Sequence, residues 1–179
     1  MNPIDLLVAI IKEHAPKDIW LDSPMQGYRK LGNTNRGEIG EEFVRRFLTE
    51  AGIVIDVPAG NRGRTSLTDM QIAGFAVEIK TASMGANKTF QFNHVRLDRK
   101  YLHLLCLGIC PHEIVFNMWG KGELAEGKAG SLVRMAEGQG VTWKLTKKLS
   151  DMRPIAELPI AIASLENPLN KKPSSPTQH

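Results

Sequence analysis

The stretch from Thr65 to Ser83 constrains the fold of this chain most, because its sequence predicts two β-strands joined by a short turn. In its segment FAVEIK every second residue is apolar, so one face of the second strand is apolar and the other carries Glu78 and Lys80. Ala73-Gly74 is the predicted turn, since glycine readily adopts positive φ angles. Alanine is a poor first residue in a two-residue hairpin turn, which leaves a wider loop as an alternative.

A hairpin centred on this turn pairs Ile72 with Phe75 and brings two carboxylates, Asp69 and Glu78, opposite each other. Two carboxylates in that position repel, and a positive charge between them relieves the repulsion. Lys80 is one candidate for that charge, and a divalent cation is the other. In a simpler interpretation Glu78 and Lys80 form a surface ion pair, worth about 0–1 kcal/mol.

At these residues the chain resembles the PD-(D/E)xK nuclease superfamily, whose fold is that of most type II restriction endonucleases. The family signature is an acidic residue on one strand followed by Glu-x-Lys on the next. Here Asp69 is followed, after eight residues, by Glu78-Ile79-Lys80, and Thr68 stands where the family has proline. From about Gly37 to Trp119, the resemblance implies an α/β fold with an α-β-β-β-α-β core and a mixed central sheet flanked by helices.

The same resemblance implies an active site that hydrolyses phosphodiester bonds with a divalent metal. Asp69, Glu78 and the backbone carbonyl of Ile79 would ligate Mg²⁺, with Mn²⁺ as a substitute. Lys80 would orient or deprotonate the attacking water, or stabilise the pentavalent charge. Glu41, from a preceding helix, would position a second metal or a metal-bound water.

The segment from Glu38 to Ala51 predicts the clearest helix, with Gly52 just past its end. Its apolar stripe is expected to contain Ile39, Phe43, Phe47 and Leu48, with Val44 on the edge. Glu41 matches the metal-site glutamate of the family, and Glu38 and Glu42 are rivals within one turn. A simpler explanation is that acids in a first helical turn are favoured by the helix dipole.

Three basic or amide-rich segments are predicted to contact DNA through its phosphates and base edges. The residues are Arg36, Arg62, Arg64, Gln91, Asn93 and Arg96. The first belongs to a polar loop and the next two to a Gly-rich turn after a strand at 53–58, and solvated loops are the simpler interpretation of both segments. The last three belong to an amphipathic segment from Phe90 to Lys100, which is expected to become helical in its later part. His94, Arg99 and Lys100 add to the polar, basic character by which this segment could face DNA.

The remaining elements follow from local patterns. We predict a helix from Asn2 to His14, strands over Tyr101–Ile109 and Ile114–Trp119, a short helix over Ser131–Glu137, an edge strand over Val141–Leu145 and an irregular region from Arg153. Residues 1–166 form one domain in this prediction, and residues 167–179 form a disordered tail. Cys106 and Cys110 are expected to be buried, reduced thiols.

The net charge of +4 mildly favours an anionic partner such as nucleic acid. The N-terminal segment has no basic region before its apolar run, and no apolar run reaches the ~20 residues that span a bilayer. A cytoplasmic protein without a membrane partner is therefore expected.

The function predicted from these residues and the resemblance is sequence-specific cleavage of double-stranded DNA by a type II-like endonuclease. Two-fold symmetric DNA favours a homodimer. A cognate DNA methyltransferase would be a partner in the same system. The alternatives are a junction or repair nuclease of the same fold and a catalytically silent DNA-binding or assembly subunit.

Overall fold

Two β-sheets and several helices form this mixed α/β protein in a computed structural model, which describes residues 2–15, 18–57, 69–136 and 140–165. The helices are α1 (Pro3–His14), α2 (Gln26–Arg29), α3 (Asn33–Glu50), α4 (Lys121–Ala125) and α5 (Leu158–Ala163). The strands are β1 (Ile55–Asp56), β2 (Met70–Ile72), β3 (Phe75–Ser83), β4 (Thr89–Val95), β5 (His103–Ile109), β6 (Ile114–Gly120), β7 (Leu132–Ala136), β8 (Thr142–Lys148) and β9 (Arg153–Pro154). No described helix is both long enough and apolar enough to cross a membrane.

The larger sheet has six strands in the order β1-β2-β3-β5-β6-β9, and the smaller has three in the order β4-β8-β7. Strand β3 runs parallel to β5, and every other described pair is antiparallel. The predicted strands at Tyr101–Ile109 and Ile114–Trp119 are confirmed as β5 and β6 within two residues at each end. All of β5 after its first residue is buried, as its continuous apolar sequence predicts.

The hairpin of β2 and β3 confirms the predicted pairing of Ile72 with Phe75, and Gln71 pairs with Ala76 beside it. Its turn contains only two residues, Ala73 with a φ of 50° and Gly74 with a φ of 84°, so the wider loop is wrong. Positive φ at both positions matches the twist of a two-residue hairpin. The pairing therefore outweighs the poor preference of alanine for this conformation.

Helix α3 begins at Asn33, five residues before the predicted Glu38, and its N-cap is Gly32. Its first turn contains no acidic residue. The explanation of Glu41 by the helix dipole is therefore wrong, because that effect is confined to the first turn.

The buried face of α3 differs from the expected stripe. Its buried residues are Gly40, Val44 and Leu48, while Ile39 is 45% exposed. The helix comes very close to β3 at Gly40, where a Cβ atom would lie only 2.0 Å from Thr81 Oγ1. Val44 and Leu48, one and two turns after Gly40, are buried for this reason. Val44 therefore lies at the centre of the buried face rather than on its edge.

The segment from Phe90 to Lys100, predicted to become helical in its later part, contains strand β4 as far as Val95, and residues 96–100 form a turn rather than a helix. Phe90, Phe92 and Val95 are buried, whereas Gln91 and Asn93 are exposed, which is the two-residue period of a strand. β4 pairs with β8, so a partner about fifty residues away overrides the local pattern. The connection between parallel β3 and β5 thus contains a strand of the other sheet, and the predicted second helix of the α-β-β-β-α-β core is wrong.

Three C-terminal predictions also change. Strand β7 replaces the short helix at Ser131–Glu137, because it forms a hairpin with β8. Strand β8 covers the segment predicted as an edge strand but lies in the middle of its sheet, between β4 and β7. The irregular region from Arg153 contains β9 and α5.

Strand β1 covers only Ile55–Asp56 of the predicted strand at 53–58, and residue 58 and the tail from 167 lie outside the described residues.

Two other predictions are confirmed. Cys106 and Cys110 are buried and free. Helix α1 begins at Pro3, and Asn2 Oδ1 accepts a hydrogen bond from the Ile4 N–H at 2.9 Å.

Candidate active site

The site lies where β3 extends beyond β2. β2 pairs with β3 only as far as Val77, and no described strand pairs with that edge of β3 from Glu78 to Ser83. The Asp69 carboxylate continues the ladder, because its Oδ2 accepts a hydrogen bond from the Ile79 N–H at 2.7 Å. The sheet itself therefore fixes Asp69 at the start of this unpaired edge.

Two cations neutralise the buried Glu78 carboxylate. The side chain of Glu78 has no exposed surface, and its Oε1 lies 2.6 Å from Lys80 Nζ. Arg99 Nη1 donates to both Glu78 oxygens, at 3.0 and 3.1 Å. The same Nη1 lies 4.0 Å from Asp69 Oδ1. Glu78 and Lys80 are thus not a surface ion pair, and a guanidinium lies between the two carboxylates where the sequence required a positive charge.

The sequence predicted Arg99 only as part of a polar, basic segment that could face DNA, not as a neighbour of the carboxylate pair. The parallel register of β3 and β5 pairs Val77 with His103, and the Leu102 N–H donates to the carbonyl of Ala76, so the segment before β5 runs beside the start of β3. The long side chain of Arg99 extends from this segment to Glu78. Lys121 Nζ anchors this segment by donating to the backbone carbonyl of Arg99. Sequence analysis places Arg99 beside Glu78 only when the adjacency of β3 and β5 is known.

Glu41 reaches the site from α3, 28 residues before Asp69 in the sequence. Burial and the nearby Asp69 carboxylate raise the pKa of Glu41 to about 7, although Lys80 opposes the shift. Glu41 lies about 60° around the helix from Val44, at 100° per residue, so it flanks the buried face. It lines a cleft together with Ile79 and Lys80.

The two rival acids on α3 point elsewhere. Glu42 forms ion pairs with Arg45 and Arg46 at 2.6 Å each, and Glu38 is exposed. The residues that line the cleft include Glu41 but neither of its rivals. Gly40 allows the helix to approach β3, whereas a Cβ on Gly37 would meet nothing within 4 Å.

Burial and charge repulsion act together on Asp69. Burial raises the pKa of Asp69, and the Glu78 charge raises it further, while Lys80, the Ile79 N–H and Arg99 lower it. Glu78 also contributes to the raised pKa of Glu41. Three carboxylates therefore share one poorly solvated region, which is the electrostatic arrangement of many functional sites.

The cleft has a volume of about 520 Å³ and brings together several residues predicted to contact DNA. Arg36, Gln91 and Asn93 line it together with Glu41 and Lys80. The guanidinium of Arg36 lies 5.9 Å from the Tyr28 ring centroid, which fixes its direction. The predicted contacts at Arg62 and Arg64 lie outside the described residues.

Arg96 is not among the residues that line this cleft. Its guanidinium forms two hydrogen bonds with the Asp98 carboxylate, one of them from Nε to Oδ1 at 2.7 Å. This pairing occupies the guanidinium, so the structure does not bring Arg96 together with the other predicted residues.

His94, which belongs to the polar segment predicted to face DNA, also lines the cleft. Its φ of 56° and the shift in pairing between Phe92 and Val95 mark a β-bulge. The extra residue leaves Asn93 and His94 both exposed and returns Val95 to the core. No spacing pattern in the sequence indicates a bulge, so the exposure of two consecutive residues at this point could not be predicted.

Asp69 and Glu78 offer the hard carboxylate oxygens that Mg²⁺ and Mn²⁺ prefer, and they already face one shared cation, Arg99 Nη1. Among the described residues, no three His, Cys, Asp or Glu side chains are grouped closely enough to hold a metal ion. Mg²⁺ commonly binds through one or two carboxylates with water and substrate phosphate, so the pair fits such an ion without a complete protein cage.

Comparisons of this chain with protein-family models, with curated proteins and with solved structures find no match.

Proposed function

We propose that this protein is a divalent-metal-dependent endonuclease that hydrolyses phosphodiester bonds of double-stranded DNA. The observation that carries the proposal is the meeting of Asp69 and Glu78 at the unpaired edge of β3, where Arg99 Nη1 contacts both carboxylates and where Lys80 and Glu41 line the same cleft. Because the second helix of the expected core is absent among the described residues, the proposal rests on side chains rather than on the order of elements.

Asp69 and Glu78 would hold Mg²⁺ or Mn²⁺, with the Ile79 carbonyl as the further ligand that the family resemblance implies. When bound, the ion would supply Lewis acidity at the scissile phosphate and lower the pKa of bound water. Before the ion binds, Arg99 neutralises the carboxylate pair. In this proposal its guanidinium then turns towards the cleft and binds a DNA phosphate, which its 26% side-chain exposure favours.

Lys80 and Glu41 would act on the attacking water from the wall of the cleft. The ammonium of Lys80 orients the water and stabilises the additional negative charge of the pentavalent phosphorus. With a pKa of about 7, Glu41 can accept a proton from that water near neutral pH. Together these roles need no residue beyond those that already converge at the edge of β3.

DNA would lie along the cleft between α3 and β4. Arg36 supplies a cation for a phosphate, while Gln91 and Asn93 present amides to base edges, most suitably to adenine. This chemistry favours a sequence-specific, type II-like enzyme over a junction or repair nuclease that recognises DNA shape. The homodimer, the methyltransferase partner, the cytoplasmic location and the DNA contacts of Arg62 and Arg64 stay predictions.

A second candidate function is a catalytically silent DNA-binding subunit. Both oxygens of Glu78 are already bonded to cations, and the carboxylate has no exposed surface. If Arg99 never leaves this position, the carboxylate pair is a structural ion cluster and the cleft only binds DNA.

Incubation with supercoiled plasmid DNA and with a branched DNA junction, each in Mg²⁺, Mn²⁺ or EDTA, tests the proposal. Metal-dependent cleavage that Asp69→Asn abolishes is the expected result, with discrete plasmid fragments for a type II-like enzyme. Cleavage of the junction alone would identify the repair alternative. DNA binding without cleavage in either metal would identify the silent subunit. The absence of both binding and cleavage would overturn the proposal.

A further inference from the structure

Helix α1 is exposed along its whole length, although most of its residues are apolar. Every residue from Asn2 to Ala15 is exposed, and the fractions for Ile4, Leu7 and Ile11 are 69, 58 and 55%. An isolated helix shorter than about 12–15 residues is marginally stable in water. A 12-residue helix with such a surface is therefore expected to be covered by a partner.

The side chains of α1 are arranged as a stripe with two different flanks. Ile4, Leu7 and Ile11 recur at helical spacing and form the stripe. At 100° per residue, Asp5 and Lys12 lie within about 20° of each other on one flank, two turns apart along the helix. Leu6 and Ile10 lie on the opposite flank, about 40° apart.

We infer that α1 pairs in antiparallel orientation with α1 of a second copy of this chain. Two antiparallel helices related by a two-fold axis bring the same flank of each copy together. Asp5 of each copy then lies beside Lys12 of the other copy, which gives two symmetric ion pairs on one flank. On the opposite flank, Leu6 of each copy contacts Ile10 of the other. The surface is thus complementary to itself in both charge and hydrophobicity.

A parallel pair does not give this match. A two-fold axis along the helices brings opposite flanks together, so Asp5 and Lys12 would face Leu6 and Ile10. That arrangement leaves the charges without partners and covers them with apolar side chains, which is unfavourable.

A lipid surface is a poorer occupant for the same helix. Helices that lie on membranes usually carry many Lys and Arg residues on the polar face. The polar side of α1 carries Asp5 and Glu13 against a single Lys12. The charge balance therefore favours a second copy of this chain over an anionic bilayer.

This inference does not depend on nuclease activity, but it names the surface through which the proposed homodimer would form. It is tested by sedimentation equilibrium of the full chain, with thermal unfolding as a check that the fold is intact. Wild type is expected to dimerise, and Leu7→Glu to weaken dimerisation at least about a hundredfold, because it places charge in the centre of the stripe. Glu13→Gln, on the polar side, is the control and is expected to dimerise as wild type does.

Exchange of the two flanking charges tests the antiparallel orientation. Asp5→Lys and Lys12→Asp are each expected to weaken dimerisation about tenfold, because each places like charges side by side at two symmetric contacts. The double variant restores opposite charges and is expected to return to wild-type affinity. It also reverses the favourable arrangement of charges along the helix dipole, so recovery cannot arise from helix stability.

Three results would overturn the inference. They are a wild-type chain that stays monomeric, a Leu7→Glu variant that dimerises as well as wild type, and a double charge variant no better than the single ones. A monomeric wild type that sediments with anionic phospholipid vesicles would identify a lipid surface instead. Loss of dimerisation with cleavage retained would leave the proposed enzyme intact, so the two proposals fail separately.

Discussion

Two clusters in this protein each contain one glutamate and two cations, and they differ mainly in burial. Glu42 pairs with Arg45 and Arg46 on α3, and Glu78 pairs with Lys80 and Arg99 beside the cleft. The shortest distance is 2.6 Å in both clusters, but the side chain of Glu42 is 43% exposed and that of Glu78 is completely buried.

The distances alone therefore reveal little about what each cluster contributes. Exposed pairs contribute about 0–1 kcal/mol, because water and mobile ions screen them. Removal of one partner from a buried pair costs about 3–5 kcal/mol, because the remaining charge has lost its water as well. Burial makes the Glu78 cluster sensitive to any change of cation, which is the property that a metal-binding carboxylate needs.

The largest expected effect is that of Arg99→Met on stability. We expect it to lower the free energy of unfolding in EDTA by about 3 kcal/mol, since Glu78 keeps one cation in place of two. Mg²⁺ or Mn²⁺ is expected to restore much of this loss by taking the position of the guanidinium. Urea denaturation with and without metal measures both effects.

Arg45→Met is the matched change in the exposed cluster, with an expected cost below about 1 kcal/mol and no response to metal. Equal losses of unfolding free energy in Arg99→Met and Arg45→Met would show that burial does not make the two clusters different in stability. A large cost for Arg99→Met without metal rescue would make the buried cluster purely structural.

Lys80→Met is expected to slow DNA cleavage about a hundredfold, equivalent to about 2.7 kcal/mol of activation free energy. Lys80 is assigned to the attacking water, so binding of DNA in Ca²⁺ is expected to persist. Single-turnover cleavage and a gel-shift assay separate the two effects. Arg46→Met, from the exposed cluster, is the control and should change neither; loss of binding by Lys80→Met would contradict its assignment to chemistry.

Glu41→Gln is expected to slow cleavage about tenfold, or about 1.4 kcal/mol, because the amide cannot accept a proton. Glu42→Gln and Glu38→Gln change neighbouring acids that do not line the cleft, so both are expected to cut at the wild-type rate. Rates at saturating Mg²⁺ make the comparison. If all three variants cut normally, Glu41 has no part in the reaction.

The smallest effect concerns the pH dependence of stability. Burial raises the pKa of Glu41 from 4.5 to about 7. The contribution of Glu41 to the free energy of unfolding is therefore fully present below pH 4.5 and is lost as the pH rises through about 7. Glu42 behaves oppositely, since hydrogen bonds from Arg45 and Arg46 lower its pKa to about 2. Its contribution is present above pH 4.5 and is lost as the pH falls through about 2.

Denaturation of wild type, Glu41→Gln and Glu42→Gln across this pH range measures both contributions. We expect Glu41→Gln to remove the dependence at the upper end of the range and Glu42→Gln to remove it at the lower end. The same profile in all three proteins would show that neither acid has the shifted pKa.

Local patterns were sufficient for part of this structure. The β2–β3 hairpin, the capped start of α1 and the buried strand β5 were predicted correctly, because a turn, a cap and an apolar run each depend on neighbouring residues. Asp69, Glu78 and Lys80 lie together for the same reason. A hairpin of adjacent strands brings its own side chains into contact without help from the rest of the chain.

The errors arose where a distant segment decides the structure. The buried face of α3 is set by the approach of Thr81 to Gly40, a residue that a hydrophobic pattern ignores. Arg99 is placed by the pairing of β3 with β5, and the register of a parallel pair cannot be inferred from either strand alone. The segment that begins at Phe90 was predicted to become helical in its later part, because the local pattern does not reveal that its first half pairs with the distant strand β8.

The pairing of β4 with β8 also has a consequence for how the protein folds. Phe92 pairs with Leu145, so this contact must close a loop of about fifty residues, whereas the β2–β3 hairpin closes across two. Non-local contacts form slowly, because the entropy of the long loop is lost before the pairing compensates for it. During synthesis the carboxylate pair can therefore form early, while the wall that carries Gln91 and Asn93 must wait until β8 has emerged.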